Sequence, residues 1–579
     1  MAYLGVDCSL TGRRWVGPGV EHERLAEAMV QQTGQPRALC GVLARLGVPL
    51  EEVAGYLDPK LRDLLPDPRT LRDMEAASSR LVAAVTRRER VAIFADYDVD
   101  GGTSAALLID WFGQMGLEPT LYVPDRIDEG YGPNEPAMAQ LAAAHDLIVC
   151  VDCGTLSHGP IAAAAAADVI VLDHHLAGET LPECVAVVNP NRQDEDGALA
   201  HLCAAAVVFL ALVDAGRQMR AAGKRGPDLM AMLDLVALAT VADVAPLRGV
   251  NRALVRQGLN VMAGRSRPGL VALSDVARVD TAPTSYHLGF VLGPRINAGG
   301  RIGRADLGAR LLACRDPHEA KSLADKLDQL NGERREVEEA VRAAALAQAE
   351  ERGFDAPLVW AAGEGWHPGV VGIVASRLKE RTNRPAIVIG MDGDEGKGSG
   401  RSVSGVDLGA SIQKLAAEGL LIKGGGHKMA AGLTVARDKL EAAMERLTEL
   451  LAKQGAGLGG AADLSLDGTL MPGAASVDLC EGIEKAGPFG AGAPAPRFAF
   501  PEMRVGFAKQ VGAGHLKVSF DDGLGVRIDA IAFGAFDGPL GAALSDHKGK
   551  RFHVAGRIEI NEWNGRRSVQ LRLEDAAEA

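Results

Sequence analysis

Cysteine is scarce in this chain. Eight residues (Cys8, Cys40, Cys150, Cys153, Cys184, Cys203, Cys314 and Cys480) lie scattered over 579 positions and give no disulfide framework. The one CxxC, Cys150-Val151-Asp152-Cys153, has no second copy, which excludes a four-cysteine zinc site. Buried thiols around a strand end are the plainer reading. A membrane-length apolar run is also missing. The longest small-apolar stretch, Ile161 to Ala167, falls far short of the roughly 20 residues a spanning helix needs. No N-terminal stretch reads as a signal peptide, so a cytoplasmic protein without membrane attachment is expected. Positive charge is not in excess either. The net charge of −13 excludes a surface coated in phosphate-binding lysines. It leaves room for a nucleic-acid enzyme, because active-site carboxylates add negative charge and phosphate binding can be local.

What is present is a long, segmented globular chain, too large for one core. Residues 36–90 read as helices with a Pro-rich joint at Leu64 to Pro68. Apolar runs at Val91–Ala95, Thr120–Val123, Leu147–Val151 and Val169–Leu172 alternate with alanine-rich helical segments. That alternation predicts a parallel sheet covered on both faces. Between Pro317 and Gly353 there is no further proline, one glycine (Gly332) and many charges, which predicts a long helix joining two lobes. A second alternating region begins at Phe354, with strands at Leu358–Ala361 and Ala386–Ile389. The glycine-rich stretch 455–460 marks a linker. Beyond Asp463, short strands such as Leu516–Phe520, Ala530–Phe533 and Arg551–Ile560 predict a small barrel. The expected fold is therefore α/β: two α/β lobes joined by a long helix, plus a C-terminal β-barrel. The expected divisions are 1–75 (helical), 76–250 (first lobe), 251–353 (helical connector), 354–455 (second lobe) and 463–579 (barrel).

Chemistry gathers at the ends of the first-lobe strands. The run Ala95-Asp96-Tyr97-Asp98-Val99-Asp100-Gly101-Gly102 puts three alternating aspartates where a buried strand becomes a loop. Carboxylates this close repel, and a divalent cation relieves the repulsion. The next strands end in Val151-Asp152 and in Leu172-Asp173-His174-His175, and an apolar helical run closes on Asp243. Open α/β sheets bind ligands at this edge. Mixed aspartate and histidine ligands suit Mn²⁺, with Mg²⁺ or Co²⁺ as alternatives. The acid count suggests two ions about 3.5–4 Å apart.

These residues resemble, in order, the four motifs of the DHH phosphoesterase superfamily, with wording closest to the RecJ single-strand-specific exonucleases. The segments Asp128-Glu-Gly-Tyr131-Gly-Pro, Gly293-Pro-Arg-Ile-Asn-Ala-Gly-Gly-Arg301 and Leu330-Asn-Gly-Glu-Arg334 are similar to further family segments. Gly398-Ser-Gly-Arg-Ser402 and Gly424-Gly-Gly-His427-Lys-Met-Ala-Ala-Gly432 resemble the DHHA1 motifs. Gly487-Pro-Phe-Gly-Ala-Gly, His515-Leu-Lys517 and Asn561-Glu-Trp-Asn-Gly565 resemble the family's oligonucleotide-binding barrel. The resemblance implies a 5′→3′ exonuclease specific for single-stranded DNA, releasing 5′-mononucleotides in DNA repair and recombination. It implies a cofactor of two Mn²⁺ or Mg²⁺ ions. It implies Asp98, Asp100, Asp152, His174, His175 and Asp243 as catalytic residues, all but His175 also ligating metal. The family's histidine position falls on Phe94, which cannot ligate, and Asp96 is the candidate for that place. Arg126, Arg295, Asn297 and Arg301 are implied strand contacts. Arg401, Ser402, Gly425, Gly426 and His427 would hold the strand end. Lys517 and Trp563 stand for the barrel, where 497–567 carries eleven Lys/Arg against eight acids among aromatics, a pattern suited to stacking on single strands. A RecQ-type helicase and a single-strand-binding protein are the implied partners of a monomer. The alternatives are an oligoribonuclease, cyclic-dinucleotide phosphodiesterase or pyrophosphatase of the same superfamily, or a non-catalytic DNA-binding scaffold.

Overall fold

The computed structural model describes residues 2–125, 129–457, 462–563 and 565–579, with backbone alone at Trp563. Arg126 and Asp128, residues 458–460 of the glycine-rich stretch and Asn564 lie outside the described residues.

The first lobe is a five-stranded, wholly parallel sheet. Its strands are β1 (Val91–Ala95), β2 (Thr120–Tyr122), β3 (Leu147–Val151), β4 (Asp168–Leu172) and β5 (Ala186–Val188), in the order β2-β1-β3-β4-β5. Every residue of β1 and β3 is buried. That is why they read as unbroken apolar runs: helices cover both faces. Ile93 and Ala95 face one core with the helices α1 (Val99–Gln114) and α2 (Ala204–Ala221). Ala92 and Phe94 face the other core with Met138, Leu141 and Ile161. The strand β5 was not anticipated; three residues are too short for a periodicity to register. The expected strands β1 and β3 agree residue for residue, and β2 and β4 differ by one residue at an end.

Two more helices complete the setting of the site. The helix α3 (Leu233–Ala242) ends at Asp243, and α4 (Gly293–Ile302) runs beside it into α5 (Pro317–Arg352) through a short helix at Leu307–Ala313. Capped by the Asp316 carboxylate accepting from Glu319 N at 2.8 Å, α5 has 36 residues, about 54 Å of rise. Its first half buries Ala320, Leu323, Ala324, Leu327 and Leu330 in the first-lobe core. Its second half buries Val341, Ala345 and Ala349 against the second lobe. One helix is thus part of two cores.

The second lobe holds β6 (Val359–Glu364), β7 (Ala386–Asp392), β8 (Glu395–Arg401), β9 (Lys423–His427) and β10 (Ala430–Ala436), in the order β9-β10-β8-β7-β6. Only β6 and β7 pair in parallel. The barrel is β11 (Phe498–Val511), β12 (His515–Asp521), β13 (Arg527–Ala532), β14 (Arg551–Trp563) and β15 (Arg566–Glu578), closed by the β11–β14 pairing.

The first helices do not stand apart. Val20–Thr33 and Arg37–Arg45 contribute Ala26, Met29, Leu39 and Leu43 to one core with the barrel residues Phe498, Phe500, Phe520 and Phe552. Trp15 is wholly buried and donates from Nε1 to Asp575 at 2.9 Å. The barrel is in turn fixed to the first lobe by Arg252. Its guanidinium donates to the carbonyls of Ala486 (2.8 Å), Gly487 (3.0 Å) and Tyr56 (2.9 Å) and lies 3.6 Å from the Tyr56 ring centroid. No helix among the described residues is long and apolar enough to cross a membrane.

Candidate metal centre and strand-binding surfaces

The carboxyl ends of β1, β3 and β4 and the end of α3 converge. The Asp98 side chain caps α1, accepting from Asp100 N at 2.8 Å and Gly101 N at 3.2 Å. This turn is so tight that a Cβ on Gly101 would stand 2.4 Å from the Asp96 carbonyl oxygen. Asp100 is buried, and its two oxygens accept from Ala204 N (2.7 Å) and Ala205 N (2.9 Å) at the start of α2. The positive end of that helix helps hold a charge there. Asp152, at the end of the central strand, is buried with φ +60. A non-glycine residue in this left-handed region is strained, and such strain persists where surrounding structure enforces it.

Three groups of ligand-capable atoms result, each within 4.8 Å: Asp96, Asp98 and Asp152; Asp100, His174 and Asp243; and Asp152, His174 and His175. His174 Nε2 lies 3.3 Å from Asp152, 3.7 Å from Asp100 and 3.7 Å from Asp243. The third group shares Asp152 with the first and His174 with the second, which sets the three side by side. Phe94 is wholly buried and stacks on Tyr122 with ring centroids 5.3 Å apart, so it faces a core and not the centre. Asp96 stands with Asp98 and Asp152 instead.

The electrostatics demand a cation. Burial, reinforced by Asp100, Asp98 and Asp96, pushes Asp152 well above the carboxylate range. Burial with Asp100 and Asp98 raises Asp243 to about 8. Burial and Asp98 raise Asp100 against the pull of His174. Asp152 Oδ1 is buried without a hydrogen-bond partner although His174 is close. An orphaned buried carboxylate oxygen is costly unless a ligand satisfies it. The donor set of oxygens and imidazole therefore fits Mn²⁺ or Mg²⁺.

Sequence reasoning assigned no role to Asp173, which organises the histidines. One oxygen accepts from His174 N (2.7 Å), His175 N (3.2 Å) and His175 Nδ1 (2.8 Å); the other accepts from Thr155 Oγ1 at 2.6 Å. Burial alone would raise Asp173, but these bonds and the His175 charge hold it far below the usual range. Burial likewise opposes the charge on His175, yet Asp173, with Asp243 and Asp96, lifts it to about 9. Asn189 and Asn191, just after β5, donate to the carbonyls of His175 (2.8 Å) and His174 (2.6 Å). The polar run Asn189-Pro-Asn-Arg192 after an apolar triplet was the available signal. Tyr131 Oη lies 3.2 Å from His175 Nε2 and donates to the Asp152 carbonyl at 3.2 Å.

The remaining expected residues divide. Arg295 is nearly buried and spends its guanidinium on Asp328 of α5 (2.8 Å) and the Val291 carbonyl (2.7 Å), so it ties α4 to the long helix. Arg301 donates to the Gly369 carbonyl at 2.9 Å across to the second lobe. Asn297 Oδ1 is buried and lacks a partner. Arg401 donates to Ser399 Oγ (3.1 Å) and the Gly400 carbonyl (2.9 Å). Ser402 is buried and donates to the Val406 carbonyl at 2.8 Å. That places Ser402 in a turn rather than on an open surface. Gly424–Gly426 form not a loop but the edge strand β9, ending in exposed His427. Lys517 is exposed on β12. Arg126 and the side chain of Trp563 are outside the described residues.

Known proteins match along most of the length. Family models match at residues 90–240 (DHH family, N-terminal domain), 355–453 (DHHA1 domain) and 466–575 (RecJ OB domain). The chain is 39% identical over 540 residues to the single-stranded-DNA-specific exonuclease RecJ of Dickeya dadantii, covering 90% of this chain and 92% of that one. The chain belongs to the RecJ family. The RecJ of Escherichia coli is 36% identical over 550 residues, covering 90% and 93%. The crystal structure of RecJ from Thermus thermophilus in complex with Mn²⁺ superposes with a TM-score of 0.80 at 28% identity, covering 98% of this chain and 79% of that one. The Mg²⁺ complex of the same RecJ gives 0.73 at 27% identity, covering 98% and 78%.

Proposed function

We propose that this protein hydrolyses single-stranded DNA from the 5′ end, releasing 5′-mononucleotides, with two Mn²⁺ or Mg²⁺ ions as cofactor. The observation that carries the reading is the orphaned, buried Asp152 oxygen at the junction of overlapping ligand groups. Family membership with RecJ exonucleases supports it. Asp96, Asp98 and Asp152 would hold one ion, and Asp100, His174 and Asp243 another. When bound, such ions supply Lewis acidity at phosphorus and an acidified water. The chain's own residues do the rest. The Asp173 bond fixes the ring of His175 and favours its charged form, so the ring can donate toward the scissile phosphate or its leaving 3′ oxygen. Helix-start amides hold Asp98 and Asp100 in place against the repulsion of the neighbouring carboxylates. The residues Arg126, Arg401, Gly425, Gly426 and His427 receive the strand end, and Lys517 and Trp563 the strand beyond. The matched OB barrel favours a long polymer over dinucleotide substrates. A role in DNA repair and recombination in the cytoplasm follows, as a monomer working with a RecQ-type helicase and a single-strand-binding protein.

The test uses end-labelled strands with and without a 5′ phosphate, single and duplex, in Mn²⁺ and in EDTA. Mononucleotides released from single strands only, in Mn²⁺ only, are expected. Equal degradation of blunt duplex, or turnover in EDTA, would overturn the reading.

A further inference from the structure

Two aromatic side chains near the metal centre have been left out of every core. Tyr286 is 54% and Phe290 70% exposed. Their rings stack, with centroids 5.3 Å apart and planes 25° from parallel. Phe290 sits in a widened helical turn, His287–Leu292, that runs directly into α4. Wide turns of this kind are uncommon and recur at functional sites. Leaving a phenylalanine in water forfeits the gain from burying it, so a partner surface is called for.

The glycines of this segment show where it lies. A Cβ on Gly289 would come within 3.4 Å of Val241, and one on Gly293 within 3.3 Å of Ala242 and 3.9 Å of Val99. One on Gly300 would stand 2.9 Å from the Tyr97 carbonyl oxygen. One flank of the helix is thus pressed against the walls that carry Asp96, Asp98, Asp100 and Asp243. Within α4, Asn297 and Arg301 follow at i and i+4, a spacing that shares one side of a helix, and Phe290 stands in the wide turn just before it. The segment therefore sets a stacked aromatic pair at the head of a helix that carries a buried amide oxygen without a donor and a guanidinium reaching the second lobe.

We propose that Tyr286 and Phe290 form a stacking platform for a nucleobase of the strand whose phosphate lies at the metal centre. This rests on the functional reading above. A flat, uncharged double ring bordering a phosphodiester-handling centre matches the face of a base, and stacking tolerates any sequence. A protein partner would instead need a wide apolar surface, which two rings do not supply.

Binding of fluorescent oligothymidylate, measured in EDTA so that nothing is cut, tests the platform. The strand is used intact and with abasic sites in its terminal nucleotides. For the wild type, abasic substitution should weaken binding about tenfold. Phe290→Ala should weaken binding of the intact strand by a similar factor and be indifferent to the abasic sites. Phe290→Trp should restore both affinity and abasic sensitivity, while Phe290→Leu should not. Thermal midpoints matching the wild type establish that the variants are folded. An abasic penalty equal in wild type and Phe290→Ala, or full rescue by leucine, would overturn the platform alone. A wild type that neither binds nor degrades single strands would overturn the functional reading and the platform with it.

Discussion

The functional edges of the two lobes are built in opposite ways. In the first lobe, Asp96, Asp100, Asp152 and Asp173 are buried at strand ends, and helix-start amides or side-chain hydrogen bonds fix Asp98, Asp100 and Asp173. In the second lobe, the strand β9 at the sheet edge is an exposed lysine, three glycines and an exposed histidine. The difference fits the two tasks proposed for them. Crowded carboxylates can hold cations against a phosphodiester only where their positions are set beforehand. A strand end that must enter and leave needs accessible backbone donors and no desolvated charge. The first edge stores strain and repulsion; the second offers open space.

The sharpest way to break this contrast is Asp152→Asn. Metal-dependent hydrolysis should fall on the order of a thousandfold or more, measured as kcat on single-stranded DNA. The metal-free protein should hold or gain thermal stability, because a repelled buried carboxylate is removed. A large loss of stability would show that the edge is not under electrostatic stress. Next in size is Asp173→Asn. Loosening His175 should lower kcat or metal affinity by about 10–100-fold, read by titrating activity with Mn²⁺. An unchanged titration would leave Asp173 as scaffold only.

The second lobe supplies a paired test. A Cβ on Gly426 would stand 2.4 Å from the Ala430 oxygen, and φ is +148; at Gly425 nothing lies within 4 Å. Gly426→Ala should therefore cost about 1–3 kcal/mol of stability. Gly425→Ala should cost under about 0.5 kcal/mol while raising KM for single strands. Chemical denaturation beside steady-state kinetics separates the two.

Acidity gives a smaller but directional effect. Asp243 is raised to about 8 and His175 to about 9. Both bind more protons folded than unfolded, so metal-free stability should fall as pH rises from about 5 to 9. Mn²⁺ binds the ionised carboxylate, so the rise in Tm on adding it should grow over the same range. A metal increment that shrinks with pH would contradict the assigned ligands. The smallest effect is expected at exposed Lys517, where Lys517→Ala should weaken strand binding less than about fivefold and more at low salt than at high.

The legibility of the sequence follows the same contrast. Strands buried on both faces show as apolar runs, and carboxylates at their ends stand out against them; β1, β3 and the aspartates needed no coordinates. The strands β11 and β15 escaped notice for physical reasons. Register shifts between Phe500 and Met503 and between Val505 and Phe507 break the alternation of β11. The strand β15 opens on three exposed polar residues, Arg566, Arg567 and Ser568. Arg295 could not be separated from a strand-contacting arginine, because its partner Asp328 lies on another helix. Asp173 was visible but silent: a carboxylate that orients and one that ligates are spelled alike.

The shared core of Ala26, Met29, Leu39 and Leu43 with the barrel phenylalanines has a consequence for synthesis. Segments hundreds of residues apart must meet before that core exists, so on the ribosome the early helices wait for the last strands to emerge. The core of the first lobe, by contrast, draws its buried residues from 71–330, with Ala493 the one addition from further along. A chain cut short before the barrel would thus leave the early helices without their core, while the sheet that carries the aspartates keeps nearly all of its own.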